Sequence, residues 1–147
     1  MIFRQHLAPM VALLLLFAGI PASAGPLEEA DAVLNRFEQT FNTGNWDAVV
    51  ALYTKDVHFF GTVEPELVVG SEALRKYFGN LRKGLKVKFV TGSAVLQIEP
   101  NVLIISGYQV ITGSSGNENV FRSTFVMHKV DGNWLIAQRH VSPMSKK

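Results

Sequence analysis

Asp131-Gly132 joins two runs rich in β-branched and aromatic residues, Asn117 to Val130 and Asn133 to Ser142. An Asp-Gly pair between such runs is the strongest short-range hairpin signal, because both turn positions take positive φ. A two-residue turn also fixes register, with Val130 opposite Asn133. In an unbroken ladder Phe125 then faces Gln138, Ser123 faces His140 and Phe121 faces Ser142. Alternation therefore predicts one face with Phe121, Ser123, Phe125, Met127, Trp134, Ile136, Gln138, His140 and Ser142. The other carries Arg122, Thr124, Val126, Leu135, Ala137, Arg139 and Val141.

The rest of the chain supplies what this hairpin packs against. From Lys86 onward the apolar period is that of strands, read as Lys86 to Glu99, Val102 to Thr112 and the two hairpin arms. Before it the period is helical. Leu27, Ala30, Leu34, Phe37 and Phe41 recur at spacings of three and four, which predicts an amphipathic helix stopped by Gly44. Trp46, Val49, Val50 and Tyr53 predict a second helix capped by Asn45. "DVHFFGTV" reads as a strand. Leu74, Tyr77, Phe78 and Leu81 predict a third helix, with Ser71 as its cap. The expected fold is α+β: a cone-like curved antiparallel sheet with three N-terminal helices packed on its concave face.

The first 24 residues read differently. Arg4, an apolar run from Met10 to Ile20, Pro21, and small residues at Ala22 and Ala24 have the order of a secretory signal peptide cleaved after Ala24. The run is shorter than the roughly 20 residues of a membrane span, although a retained anchor stays open as the alternative. The expectation is a signal peptide at 1–24 and one domain at 25–147, exported to the periplasm or secreted, with no membrane contact after cleavage. Cysteine is absent, which removes thiol chemistry and cysteine metal sites. The 14 Lys and Arg nearly balance 12 Asp and Glu, so no charge excess points to nucleic acid.

Three blocks carry a family likeness: "FNTGNWDAVVALYTKDVHFF", "GSEALRKYFGNL" and "RSTFVMHKVDGNWLIAQRHVSPM". Together they resemble the nuclear transport factor 2-like, or ketosteroid isomerase-like, superfamily with its cystatin-like fold. The likeness is to the bacterial subgroup related to the calcium/calmodulin-dependent protein kinase II association domain, the SgcJ/EcaC-like set. Arg75, Arg122, His140 and Ser142 match family positions. Arg139 and Val141 depart from them, so one of the family's paired histidines is missing. The superfamily holds isomerases, dehydratases and cyclases as well as binding and assembly modules, so the likeness implies a fold rather than an activity.

The expected ligand pocket is lined by Tyr108, Ser123, Phe125, Gln138, His140, Ser142 and His58. His140 is the candidate acid/base, or else a histidine satisfied by neighbouring hydroxyls. Arg122, Val126, Ala137 and Arg139 form the second candidate surface, either a homodimer interface or an anion clamp. The histidine spacings suit no metal, and no cofactor is expected. Ketosteroid-isomerase chemistry needs a carboxylate base in an apolar pocket, and the hairpin has none; Asp56 could pair with His140 only if the fold brings them together. The leading reading is a non-catalytic module for small-ligand binding or oligomerisation, as a homodimer or larger homo-oligomer. The rival is an enzyme of the isomerase, dehydratase or cyclase type acting on a small apolar substrate through His140.

Overall fold

The computed structural model describes residues 25–90 and 93–144. The expected signal peptide lies outside these residues. Helix α1 spans Pro26–Thr43 and buries Ala30, Leu34, Phe37 and Phe41 of the expected stripe, while Leu27 in its first turn stays exposed. Gly44 ends it at φ 71°, a left-handed position that glycine takes without strain. Helix α2, Trp46–Val50, is capped by Asn45, whose side chain accepts from the Ala48 N–H at 3.1 Å. Strands β1 (Tyr53–Phe60) and β2 (Val68–Val69) lead into α3 (Gly70–Gly79), and β3 (Lys86–Phe89), β4 (Ala94–Glu99), β5 (Val102–Thr112), β6 (Glu118–Val130) and β7 (Asn133–Pro143) complete the chain. Ser71 does not cap α3. Its hydroxyl reaches the Lys55 carbonyl instead.

The seven strands form one sheet in the order β2-β1-β7-β6-β5-β3, with β4 on β5 as well. The α+β class stands, but the cone-like curved antiparallel sheet does not. The sheet is open, since its end strands β2 and β3 do not pair. It is also mixed, because β1 runs parallel to β7. Helix α3 follows β1, in the order in which the "DVHFFGTV" strand and the third helix were expected. A hairpin turn reveals its own pairing, whereas an isolated strand such as β1 carries no local mark of its partner or direction.

The helices cover one face of this sheet, which we call the inner face. There Phe37 packs at 5.7 Å from Phe41, 6.3 Å from Phe78 and 5.8 Å from Phe89, between ring centroids. The α1 side chains also complete the β3 edge. Asn42 donates to the Val87 carbonyl and accepts from the Val87 N–H, at 2.9 and 2.7 Å, and Glu38 accepts from the Phe89 N–H at 3.0 Å. An edge strand otherwise leaves such groups unpaired.

The hairpin turn forms as expected, with Asp131 at φ 49° and Gly132 at φ 80°. Val130 pairs with Asn133, and the ladder runs regularly to Met127 and Ile136. There it breaks. Val126 pairs with Gln138, so Ala137 has no partner and every later pair is shifted by one. This is a β-bulge, and one extra residue sends each following side chain to the opposite face. The register beyond Ile136 is therefore corrected: Phe125 lies opposite Arg139, Thr124 opposite His140 and Ser123 opposite Val141. Arg139 and Val141 turn inward with Trp134 and Ile136, and Gln138 and His140 turn outward.

Candidate functional site

A cavity of about 530 Å³ opens between the inner face and the helices. Its apolar wall includes Phe41 from α1, Phe78 from α3, Val87 from β3, Ile111 from β5, Phe121 from β6 and Val141 from β7. Thr62, Asn80, Arg82, Asn117 and Asn119 add polar groups. The Gly61–Val63 segment closes one side, where the Thr62 N–H donates to the Tyr77 hydroxyl at 3.0 Å. A Cβ at Gly61 would overlap the outer end of the Tyr77 ring, so a larger residue there must displace the phenol.

Arg139 is the charged residue of the cavity wall that is buried, at 3% exposure. Its Nη1 donates to the Tyr53 hydroxyl at 3.2 Å and its Nη2 to Gln109 Oε1 at 2.6 Å. The guanidinium carbon lies 4.3 Å from the Phe37 ring centre and 4.9 Å from that of Phe125. Aromatic faces attract a cation most strongly when water is excluded. Its Nε has no hydrogen-bond partner. No carboxylate neutralises it, since the ion pairs among the described residues join Arg75 to Asp47 and Lys129 to Glu29. Burial pushes the Tyr53 phenol above its ordinary value, while the Arg139 cation works the other way. Tyr53 is thus a neutral hydroxyl beside a fixed positive charge.

The expected pocket residues do not meet in this cavity. Gln138, His140, Ser142, Tyr108 and His58 lie on the outer face, with Tyr108 paired to Arg122 and His58 to Gln138. His140 is exposed and touches Phe60, edge to face, at 5.8 Å between ring centres. Ser123 and Phe125 do turn inward, and Phe125 packs on Arg139. Asp56 is exposed on β1; the cavity wall includes neither it nor His140. Of the second set, Arg122 and Val126 stay on the outer face, with Arg122 donating to the Pro143 carbonyl at 3.2 Å. Ala137 sits half-buried at the bulge, and Arg139 lies inside. Among the described residues no cluster of three or more His, Asp or Glu could hold a metal.

Sequence reasoning missed Gln109, Tyr53 and the inward turn of Arg139. One signal was present. Ile136 and Val141 are both apolar but five residues apart, an odd spacing that alternation cannot place on one face without an inserted residue.

A model of the SnoaL-like domain matches residues 30–146. A solved structure from Xanthomonas campestris, named for the calcium/calmodulin dependent protein kinase II association domain, is 28% identical with a TM-score of 0.73. That match covers 85% of this chain and 95% of that one. A protein of unknown function with a cystatin-like fold from Nostoc punctiforme is 15% identical, with a TM-score of 0.70 and coverage of 82% and 92%. A ketosteroid isomerase-like protein from Erwinia carotovora atroseptica is 20% identical, with a TM-score of 0.67 and coverage of 82% and 97%. The superfamily resemblance read from the three sequence blocks holds. No curated protein matches the chain.

Proposed function

This chain belongs to the SnoaL-like domain family, and we propose that it binds a small, largely apolar molecule in the inner-face cavity without transforming it. One observation carries this reading: among the described residues the cavity wall contains no Asp, Glu, His or Lys, and its one phenol, Tyr77, is taken up in accepting from the Thr62 N–H. General acid/base catalysis near neutral pH needs a group that exchanges a proton there, most often His or a carboxylate. A guanidinium cannot serve, because it does not deprotonate in proteins. A volume of about 530 Å³ is ordinary for a small-molecule site. The enzyme alternative is weakened by the exposed, outer-face position of its acid/base, His140.

The direct test is mass spectrometry of the protein purified from its own host under native and denaturing conditions. An unmodified small molecule released on denaturation supports the reading. A substrate consumed stoichiometrically or catalytically by the purified protein would overturn it.

Assembly is a second role, favoured by the outer face. Leu96, Tyr108, Val120 and Phe60 stand there at 57%, 49%, 43% and 43% exposure. Large apolar side chains exposed on the face opposite the helices suit contact with another molecule, and most oligomers pair identical patches of the same chain. We therefore assign this face to a second copy. Tyr108 and Val120 join Val126 in this interface, and Arg139 leaves it. Light scattering on the unmodified protein should give a dimer or larger, and Tyr108→Glu should reduce it. A monomer for the unmodified protein would remove this role.

A further inference from the structure

We propose that the cavity selects a molecule carrying a single negative charge, a monocarboxylate with an apolar body, whose carboxylate seats against Arg139 and Gln109. Because it names the ligand class for the cavity, the proposal rests on the binding reading above.

The reasoning begins with a cost. A buried charge is expensive unless it is paired and hydrogen-bonded. Arg139 is buried, lines the cavity, and has neutral neighbours only: Tyr53, Gln109 and phenylalanine rings. A guanidinium has five N–H donors. Two of its nitrogens have partners within the protein and Nε has none. The fold therefore holds a positive charge with spare donors, and among the described residues no carboxylate pairs with it.

Gln109 sharpens the site. Arginine offers only donors, so the amide oxygen of Gln109 must face it, as observed at 2.6 Å. The orientation of the amide is thereby fixed, and its nitrogen is left to donate elsewhere along the wall that Gln109 also lines. A carboxylate placed here accepts from Arg139 and from the Gln109 amide together. The planar fork of a guanidinium matches carboxylate geometry.

Charge count decides between anions. Arg139 is the one buried cation of the wall, and Arg82, the other arginine there, is exposed. One positive charge balances a monocarboxylate and leaves a dianion such as phosphate with an unpaired buried charge. The remaining wall, Phe41, Phe78, Ile111 and Phe121 among it, suits hydrocarbon.

The experiment is isothermal titration calorimetry of the domain with octanoate, octanol and octylammonium at neutral pH. Octanoate should bind at least about ten-fold more tightly than octanol, a difference of about 1.4 kcal/mol, and octylammonium should not bind. Arg139→Gln should abolish the preference for octanoate. Gln109→Leu, which keeps the cation, should weaken octanoate several-fold and leave octanol unchanged; it serves if Arg139→Gln fails to fold. Equal binding of octanoate and octanol would overturn the charge selection while leaving the cavity as a binding site. Binding of neither would overturn both readings, and octanoate binding unaltered by both variants would place the anion elsewhere.

Discussion

The guanidinium carbon of Arg139 lies 4.3 Å from the centre of the Phe37 ring, so a residue on the last strand rests against the middle of the first helix. Phe37 is fully buried and also contacts Phe41, Phe78 and Phe89. One ring thus supports both the aromatic core and the cation of the cavity.

Phe37→Ala should therefore cost about 3–5 kcal/mol, the usual loss for a buried phenylalanine. Phe37→Leu keeps most of the volume and should cost less. It should still weaken octanoate binding more than octanol binding, because the ring that faces the cation is gone. Denaturant melts and the same calorimetry separate these two effects.

The bulge at Ala137 gives a sharper contrast. Trp134 precedes it on the inner face, buried at 5% exposure, and His140 follows it on the outer face, exposed. Trp134→Ala should cost about 3–5 kcal/mol, whereas His140→Ala should stay within about 0.5 kcal/mol. Deleting Ala137 should be far worse than His140→Ala, because a regular ladder would bring Gln138 and His140 into the core and expel Arg139 and Val141. Thermal melts of the three variants check this. A well-folded, cavity-binding deletion variant would contradict the bulge.

The same residue explains what could be read from the chain and what could not. Helix α1, the caps at Gly44 and Asn45, and the Asp131-Gly132 turn follow from local chemistry, and all form as the spacing predicts. The parallel partnership of β1 with β7 is long-range, and nothing in "DVHFF" encodes it. The bulge is local but has no turn residue to mark it, since Ala137 is not glycine and has no positive φ; its one trace in the chain is the odd spacing of Ile136 and Val141. That insertion moved the polar end of the last strand from the inner face to the outer one. It also carried Arg139 from an expected interface into the cavity.

Export is a proposal that rests on residues 1–24, outside the described structure. Mass spectrometry of periplasmic or secreted protein should show a chain beginning at Gly25. An intact Met1 in that fraction would refute cleavage.

Glu29 predicts how stability depends on pH. Its carboxylate accepts from Lys129 Nζ at 2.5 Å and from the Trp134 indole N–H at 2.7 Å, which ties the start of α1 to the closing hairpin. The Lys129 hydrogen bond, then that of Trp134, holds the carboxyl below its ordinary value. Since the folded value lies below the unfolded one, about 4.3 for glutamate, the contribution is fully present above that value. It is lost as pH falls through the folded value, where protonation removes the charge that both donors meet. Glu29→Gln should lower the melting temperature at pH 7 and leave it nearly unchanged at strongly acidic pH, so the two melting curves should converge as pH falls. Lys129→Met should shrink the same pH dependence. A constant gap between the native and Glu29→Gln curves from neutral to acid pH would show that Glu29 contributes through packing and not through its charge.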